Sequence, residues 1–234
     1  MIRHDFKRTS NDPAILDRMR AIQPASLGHY LTEGIVSPAV HALTSGKMIG
    51  RAVTVRQPLP DALPVHLVLD ELQPGDVLVI DRAGDHHIAC VGEMVARAAQ
   101  AAGAVGIVVD GIVTDIEELR EIGLPVYARG TNVVTTRLLQ VPGAELFGPV
   151  IIGNVIVRAG DLMFGDANGL MRLPATFELS ELLGKAEADE AREVEWRCRL
   201  ASGAGLADLN GARRAQGQSA APTSSHIKSN GPSP

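Results

Sequence analysis

Apolar and polar positions change period several times along the chain, and each change marks an element. In "DPAILDRMRAIQPASLGHYL" (residues 12–31), Ile15, Met19 and Ile22 recur every three to four residues until Pro24 interrupts, which predicts one or two short opening helices. "GRAVTVRQ" alternates like a half-buried strand, and "GDVLVID" is a short β-rich run after the turn signal "QPG". Then "GEMVARAAQAAG" reads as a helix closed by Gly103 and "VGIVVDG" as a buried strand. "TDIEELREIG" reads as a second helix closed by Gly123, and "LPVYARG" as a further strand. This β-α-β-α-β order implies parallel strands joined by right-handed crossovers.

Downstream, "VIIGNVIVRAGDLMFGDANGLMRLP" returns to strands and turns. Its "RAGDLMFGDANG" echoes "QPGDVLVIDRAG", which we read as two turns of similar chemistry, since a repeat architecture recurs more than twice. "TFELSELLGKAEADEAREVEWRCRL" places Leu179, Leu182, Leu183 and Ala186 at helical spacing, with Thr176 or Ser180 as caps, and predicts an amphipathic helix suited to packing on a neighbouring subunit. From Leu206 the chain is rich in Gly, Ser, Pro, Ala and Asn, a composition that does not repay the entropy of ordering. The expected organisation is one domain over residues 1–205 and a flexible, disordered tail over 206–234.

Composition narrows the setting. Aromatic residues make up only 3% of the 234, so the core must rest on Val, Ile, Leu and Ala. A formal charge of −5 gives no basic footprint and argues against direct nucleic-acid binding. Two cysteines, Cys90 and Cys198, suit a reducing compartment and exclude a disulfide framework or a cysteine-built zinc site. With no run of membrane-spanning length and no apolar signal core near the start, a cytoplasmic protein without membrane contact is expected.

Ligands in an open parallel sheet bind beyond the carboxyl ends of the strands, where helix N-termini also point. Three stretches converge there. "GEMV" (Gly92, Glu93, Met94, Val95) begins a helix whose free amides suit an anion. "VGIVVDG" leads to Asp110, Gly111, Thr114 and Asp115, and "VLVIDRAGDHHIAC" to Asp81, Asp85, His86 and His87. Plainer readings stand beside these. Asp115 followed by Glu118 is a capping-box pattern, worth on the order of 1 kcal/mol to the helix start, so cap and metal ligand both remain open. His86 and His87 fit a solvated loop, Asp161 and Asp166 fit turns, and Cys90 between apolar neighbours fits a buried thiol.

Taken in order, "IGRAVTVR", "PGDVLVID", "VGEMVARAAQAAGAVGIVVDGIVTDIEEL", "GLPVYARG" and "AGDLMFGDANGLMRLP" resemble the RraA-like proteins over roughly residues 25–175. That family includes class II 4-hydroxy-4-methyl-2-oxoglutarate/4-carboxy-4-hydroxy-2-oxoadipate aldolases and the regulator of ribonuclease E activity. The resemblance implies a swivelling-type β/β/α domain, assembled as a homotrimer or hexamer with sites in clefts between subunits. It implies a metal, Mg²⁺ or Mn²⁺, at Asp115, substrate binding by Gly92, Glu93, Met94 and Val95, and a catalytic acidic residue at Glu118. Thr114 stands where the aldolases carry the arginine that holds the pyruvyl part of the substrate.

The implied activity is carbon–carbon cleavage of a 2-oxo acid through a pyruvate enolate, with oxaloacetate decarboxylase activity as a second reaction. A divalent metal stabilises the developing charge, and Mg²⁺ keeps several waters, so one protein carboxylate suffices. A threonine offers one neutral hydroxyl where arginine gives a planar charged clamp. Arg82, Arg129 and, least well placed, Arg120 are the candidates to replace it. His29, in a segment that also departs from the family pattern, could form an acid–base set with His86 and His87. The alternatives are a family member with a changed substrate and a non-catalytic binding protein or regulator.

Overall fold

The computed structural model describes residues 1–8 and 12–219. It divides into two compact units, Met1–Glu187 and the segment from Ala188 onward. The first unit opens with β1 (Ile2–Arg3), α1 (Pro13–Ala21), α2 (Pro24–Gly28), β2 (His41–Ala42), β3 (Met48–Arg56), α3 (Leu63–Leu69), β4 (Asp76–Asp81) and β5 (Ala89–Val91). Next come α4 (Glu93–Ala101), β6 (Gly106–Asp110), β7 (Ile112–Val113), α5 (Ile116–Ile122), β8 (Val126–Ala128) and β9 (Gly130–Thr131). β10 (Glu145–Leu146), β11 (Val150–Ile152), β12 (Val155–Val157), β13 (Leu162–Asp166) and β14 (Gly169–Leu173) complete the strands, and α6 (Ser180–Ala201) crosses the division between the units.

The expected parallel core is present: β3, β4, β6 and β8 are parallel neighbours in that order. Nine-residue β3 is long enough to serve two partners on its other edge. Its start pairs antiparallel with β13 and its end with β10. These strands are apolar on both faces, as a sheet covered on both sides requires. Leu78, Ile80, Ile107 and Val109 face a core shared with Val65 and Val68 of α3, Ala96 and Ala99 of α4 and Leu119 of α5. The alternate residues Val77, Val79 and Val108 face Val150, Ile152, Val155 and Val157 of the β11–β12 hairpin. The result is a hairpin/sheet/helix layering, the β/β/α arrangement that the resemblance implies. A third cluster joins Met19 and Leu27 of the opening helices to Phe164, Met171 and Leu183.

One feature was not expected. Just past the carboxyl ends of β4, β6 and β8 the chain forms a second, three-stranded parallel sheet, in the order β5, β7, β9. The main strands and their continuations are separated at Gly111 and Arg129, where the Arg129 amide donates to Gly111 O (2.9 Å). Gly111 has to be a glycine, because a Cβ there would collide with the Arg82 side chain. Helices α4 and α5 start directly from this small sheet, so it fixes both helix N-termini side by side. No described helix is long and apolar enough to cross a membrane.

Within the described residues, the segment expected as a flexible tail from Leu206 begins with two short helices. It holds α7 (Leu206–Leu209) and α8 (Ala212–Ser219), which local contacts support: Asn210 Oδ1 accepts from the Ala212 amide (2.9 Å), and Arg213 Nε donates to Asp208 Oδ1 (2.6 Å). The division between units falls within α6, after Glu187, and not at residue 205. Residues 220–234 of the expected tail lie outside the described residues.

Candidate active site

Asp115 occupies the N-cap position of α5 but does not cap it. Its backbone is left-handed (φ 55°, ψ 48°), and its side chain makes no bond to its own helix. This conformation costs a non-glycine residue energy, though Asp tolerates it better than most. The carboxylate turns instead to the neighbouring helix, where Oδ2 accepts from the Glu93 amide (2.9 Å) at the first turn of α4. Oδ1 accepts from Thr114 Oγ1 (3.1 Å), and the Thr114 amide is itself anchored to Val91 O (2.9 Å) across β5 and β7. The capping-box reading of Asp115 and Glu118 is therefore not realised.

Gly92 is what permits this contact. Its backbone is extended and unstrained, but a Cβ would collide with Asp115 Oδ2 and lie 2.8 Å from Thr114 Cγ2. The two helix starts can approach only at a glycine. The carboxylate takes one of the first-turn amides of α4, that of Glu93, and leaves those of Met94 and Val95 as donors without intrahelical partners.

A cleft of about 260 Å³ opens on this arrangement. Gly92, Met94, Val95, Thr114 and Asp115 contribute to it, as do His66 of α3 and the segment Thr135–Leu138. Cys90 also lines it, and burial pushes its thiol up to about 12, which keeps it protonated near neutral pH. The donors beside Asp115 are hard oxygens, and among the described residues no three His, Cys, Asp or Glu side chains are grouped to hold a metal. Such a set suits a divalent ion that keeps most of its waters, held by one carboxylate, and not a closed zinc site.

The RraA-like family model, described as Aldolase/RraA, matches residues 13–172. The chain belongs to this family. A Halalkalibacterium halodurans protein named "Putative 4-hydroxy-4-methyl-2-oxoglutarate aldolase" is 35% identical over 150 residues, covering 63% of this chain and 70% of its own. Two solved structures are also similar. An uncharacterized protein from Pseudomonas syringae pv. tomato superposes with a TM-score of 0.75 at 26% identity, over 89% of this chain and 98% of its own. Streptomyces coelicolor RraAS2, described as an unusual member of the RNase ES inhibitor RraA protein family, gives 0.69 at 27% identity, over 81% of this chain and all of its own.

Other residues singled out in this RraA-like chain lie elsewhere. Glu118 is half-buried on α5 and does not line the cleft. The Glu93 side chain bonds Arg97 (2.8 Å) along α4, so only its amide serves the site. Asp110 is bound by Arg129 and accepts from the Gly153 amide (2.6 Å), while Asp81 accepts from Ala83 (2.6 Å) and Ile151 (3.1 Å). These carboxylates fasten the hairpin to the strand ends. Asp161 and Asp166 act in turns, as read, accepting from the Arg158 (2.9 Å) and Asn168 (2.8 Å) amides.

None of the three arginines considered as substitutes for the family arginine is available. Arg82 is fully buried and donates to Gln57 O (2.7 Å), Leu59 O (2.9 Å) and Asp85; Arg129 is paired with Asp110 and Arg120 with Glu117 (3.0 Å). The histidine set does not form in the cleft either. His29 ends α2 beside Tyr30, His86 lies 4.0 Å from Asp110, and the backbone of His87 bonds Asp85 (2.9 Å) and Asn132 (2.7 Å). The imidazole and guanidinium that do line the cleft, His66 and Arg137, were not found from sequence. Both lie in stretches without clear periodicity, where no local signal marks them.

Proposed function

We propose that the protein is a divalent-metal-dependent carbon–carbon lyase acting on a 2-oxo acid, of the 4-hydroxy-4-methyl-2-oxoglutarate aldolase type, with oxaloacetate decarboxylation as a second reaction. The observation that carries this reading is the Asp115 carboxylate, held in a strained backbone conformation against the start of α4 at a glycine. A cap needs no such geometry, whereas a ligand that must stay fixed beside a substrate does.

Asp115 is the anchor for Mg²⁺ or Mn²⁺, which when bound supplies Lewis-acid stabilisation of enolate charge. The Met94 and Val95 amides, at the positive end of α4, hold the substrate carboxylate. Thr114 hydrogen-bonds Asp115 and keeps its orientation. In aldol cleavage the electron pair of the broken bond passes to the pyruvyl fragment, the 4-hydroxyl carbon becomes a ketone, and the hydroxyl proton passes to the His66 imidazole, which returns it to the enolate carbon to give pyruvate. Decarboxylation releases CO₂ and has no hydroxyl proton to move. Large exposed apolar residues around the cleft, Met94 at 73%, Val133 at 88% and Leu138 at 62%, support an assembly, trimeric or hexameric, that covers them.

A non-catalytic regulator is the second reading, favoured by Thr114 in place of the aldolase arginine. The deciding experiment measures pyruvate release from oxaloacetate and from 4-hydroxy-4-methyl-2-oxoglutarate, with Mg²⁺ and with chelator, on wild type, Asp115→Ala and His66→Ala. Metal-dependent turnover that Asp115→Ala abolishes is expected, with His66→Ala slowing aldol cleavage about 100-fold and decarboxylation much less. Absence of turnover in the wild type would leave the regulator reading.

A further inference from the structure

The lyase reading leaves the role of the missing arginine unfilled. Arg137 lines the same cleft as Thr114 and Asp115, and its guanidinium has no hydrogen-bond or ion-pair partner among the described residues. Most arginines of this protein, among them Arg3, Arg8, Arg18, Arg82, Arg129 and Arg172, are paired with carboxylates; exposed Arg158 shares the unpaired state of Arg137 but does not line the cleft. We propose that Arg137 is the carboxylate clamp of this cleft, supplying from the 135–138 segment the contact that position 114 does not.

The backbone that carries Arg137 is held on both sides. Its amide donates to Pro60 O (3.1 Å), and its carbonyl accepts from the Ala62 amide (2.8 Å). One step earlier, the Thr136 amide donates to Ala89 O (2.9 Å) in β5, next to the start of α4. Asp61, only 2% exposed, then ties the two segments together. Its Oδ1 accepts from Leu63 and Leu139 (both 3.1 Å), and its Oδ2 from Val141 (2.9 Å). Beneath it, buried Arg82 holds the carbonyls of Gln57 and Leu59, and Gln57 donates to Asp61 O.

A buried carboxylate spent on two loop amides and the first amide of α3 is a costly way to fix a surface segment, and makes sense where that segment must present a side chain in one place. Asp61 is the positioning residue; Arg137 would touch the ligand. A guanidinium matches a carboxylate with two parallel N–H donors, a chemistry that fits a 2-oxo acid or a second carboxylate on it.

This inference rests on the lyase reading for its substrate, and the test separates the two. KM and kcat for oxaloacetate with Mg²⁺ are measured on wild type, Arg137→Ala and Arg137→Lys. Oxalate binding in the presence of Mn²⁺, and Mn²⁺ binding alone, are measured by calorimetry on the same three proteins. Arg137→Ala is expected to raise KM and the oxalate Kd about 10- to 100-fold, the range for one hydrogen-bonded charged contact. Mn²⁺ affinity without oxalate should stay unchanged, and Arg137→Lys should recover part of the loss. Turnover with KM and oxalate Kd unmoved by Arg137→Ala overturns the clamp and leaves the lyase reading standing. No turnover, but oxalate binding that depends on Arg137, overturns the lyase reading and leaves the anion site. No oxalate binding by the wild type overturns the clamp as well.

Discussion

Two groups of polar and charged side chains gather at the carboxyl-end edge of the parallel sheet, and they differ in what remains available. In the first, Asp81, Asp110, Arg82, Asp85 and Arg129 spend their charges on one another and on backbone amides. In the second, Asp115, Thr114, His66 and Arg137 line an open cleft, and the Arg137 guanidinium has no partner among the described residues. By residue type alone the first group looks the richer in chemistry. The comparison teaches that a charged cluster at a strand end becomes a candidate site through bonding capacity it has not used within the protein, since a satisfied polar network mainly specifies structure.

The comparison is tested most severely by Arg82→Leu. If the first group is structural, removing a fully buried guanidinium leaves Asp85 without its cation and two carbonyls without donors. Loss of one partner of a buried ion pair costs roughly 3–5 kcal/mol. A denaturant melt should show that loss, and an unchanged midpoint would mean that the network is not needed for stability. Next comes Gly92→Ala, which probes the second group. Gly92 has an extended backbone that alanine can adopt, but the added Cβ displaces the Asp115–Glu93 hydrogen bond and crowds Thr114 Cγ2, so stability should fall by about 1–2 kcal/mol. The added Cβ must displace the Asp115 carboxylate, and a misplacement of about 1 Å can cost 10²-fold in rate. Metal affinity and turnover should fall together by far more than the modest loss of stability explains, in protein that is still folded at the assay temperature; a fully active variant would remove Asp115 from the site.

The difference between the groups also explains what the sequence could reveal. The β-α-β-α-β block was legible because its period changes sharply from "VGIVVDG" to "TDIEELREIG", with Gly103 and Gly123 closing the helices. The β/β/α layering came only from the family resemblance, and the two core clusters on opposite faces of the sheet agree with it. The second sheet was not legible, because strands of two and three residues such as β5, β7 and β9 are too short to carry a period. Helix α3 was missed for a related reason: its seven residues begin with Leu63 and Pro64, and a proline in the first turn reads equally as a break or a start. At Asp115 the local sequence is the same whether the side chain caps its own helix or crosses to another. The outcome depends on a left-handed backbone and on Gly92, which is remote in sequence. Arg137 sits among Val133, Val134, Leu138 and Leu139, a run that looks like core and is exposed.

Asp61 belongs to neither group cleanly, and its titration is the finest probe of the boundary between them. Burial pushes its carboxyl up, but the amides of Leu63, Leu139, Val141 and Gln140 together outweigh that and hold it below the usual carboxylate range. A carboxyl whose folded pKa is depressed contributes stability that is fully present above its unfolded value of about 3.9, and loses it as pH falls through the folded value. Asp85 is depressed in the same sense, with burial opposed by the amides of His87 and Ile88 and by Arg82, so both groups weaken in acid. Asp61→Asn removes one of the two titrations. Its stability at pH 7 should be lower than wild type, and the gap should narrow as pH drops below about 4, where the carboxyl protonates first in the unfolded chain and only at still lower pH in the folded protein. Oxalate affinity at pH 7 then separates the functions of the two carboxylates. If Asp61 positions Arg137, Asp61→Asn weakens oxalate binding severalfold with Mn²⁺ binding unchanged, whereas Asp85→Asn lowers stability and leaves oxalate affinity alone. Equal effects of the two substitutions on oxalate would mean that the cleft rim and the saturated network are one structure, and that the distinction between them fails at residue 61.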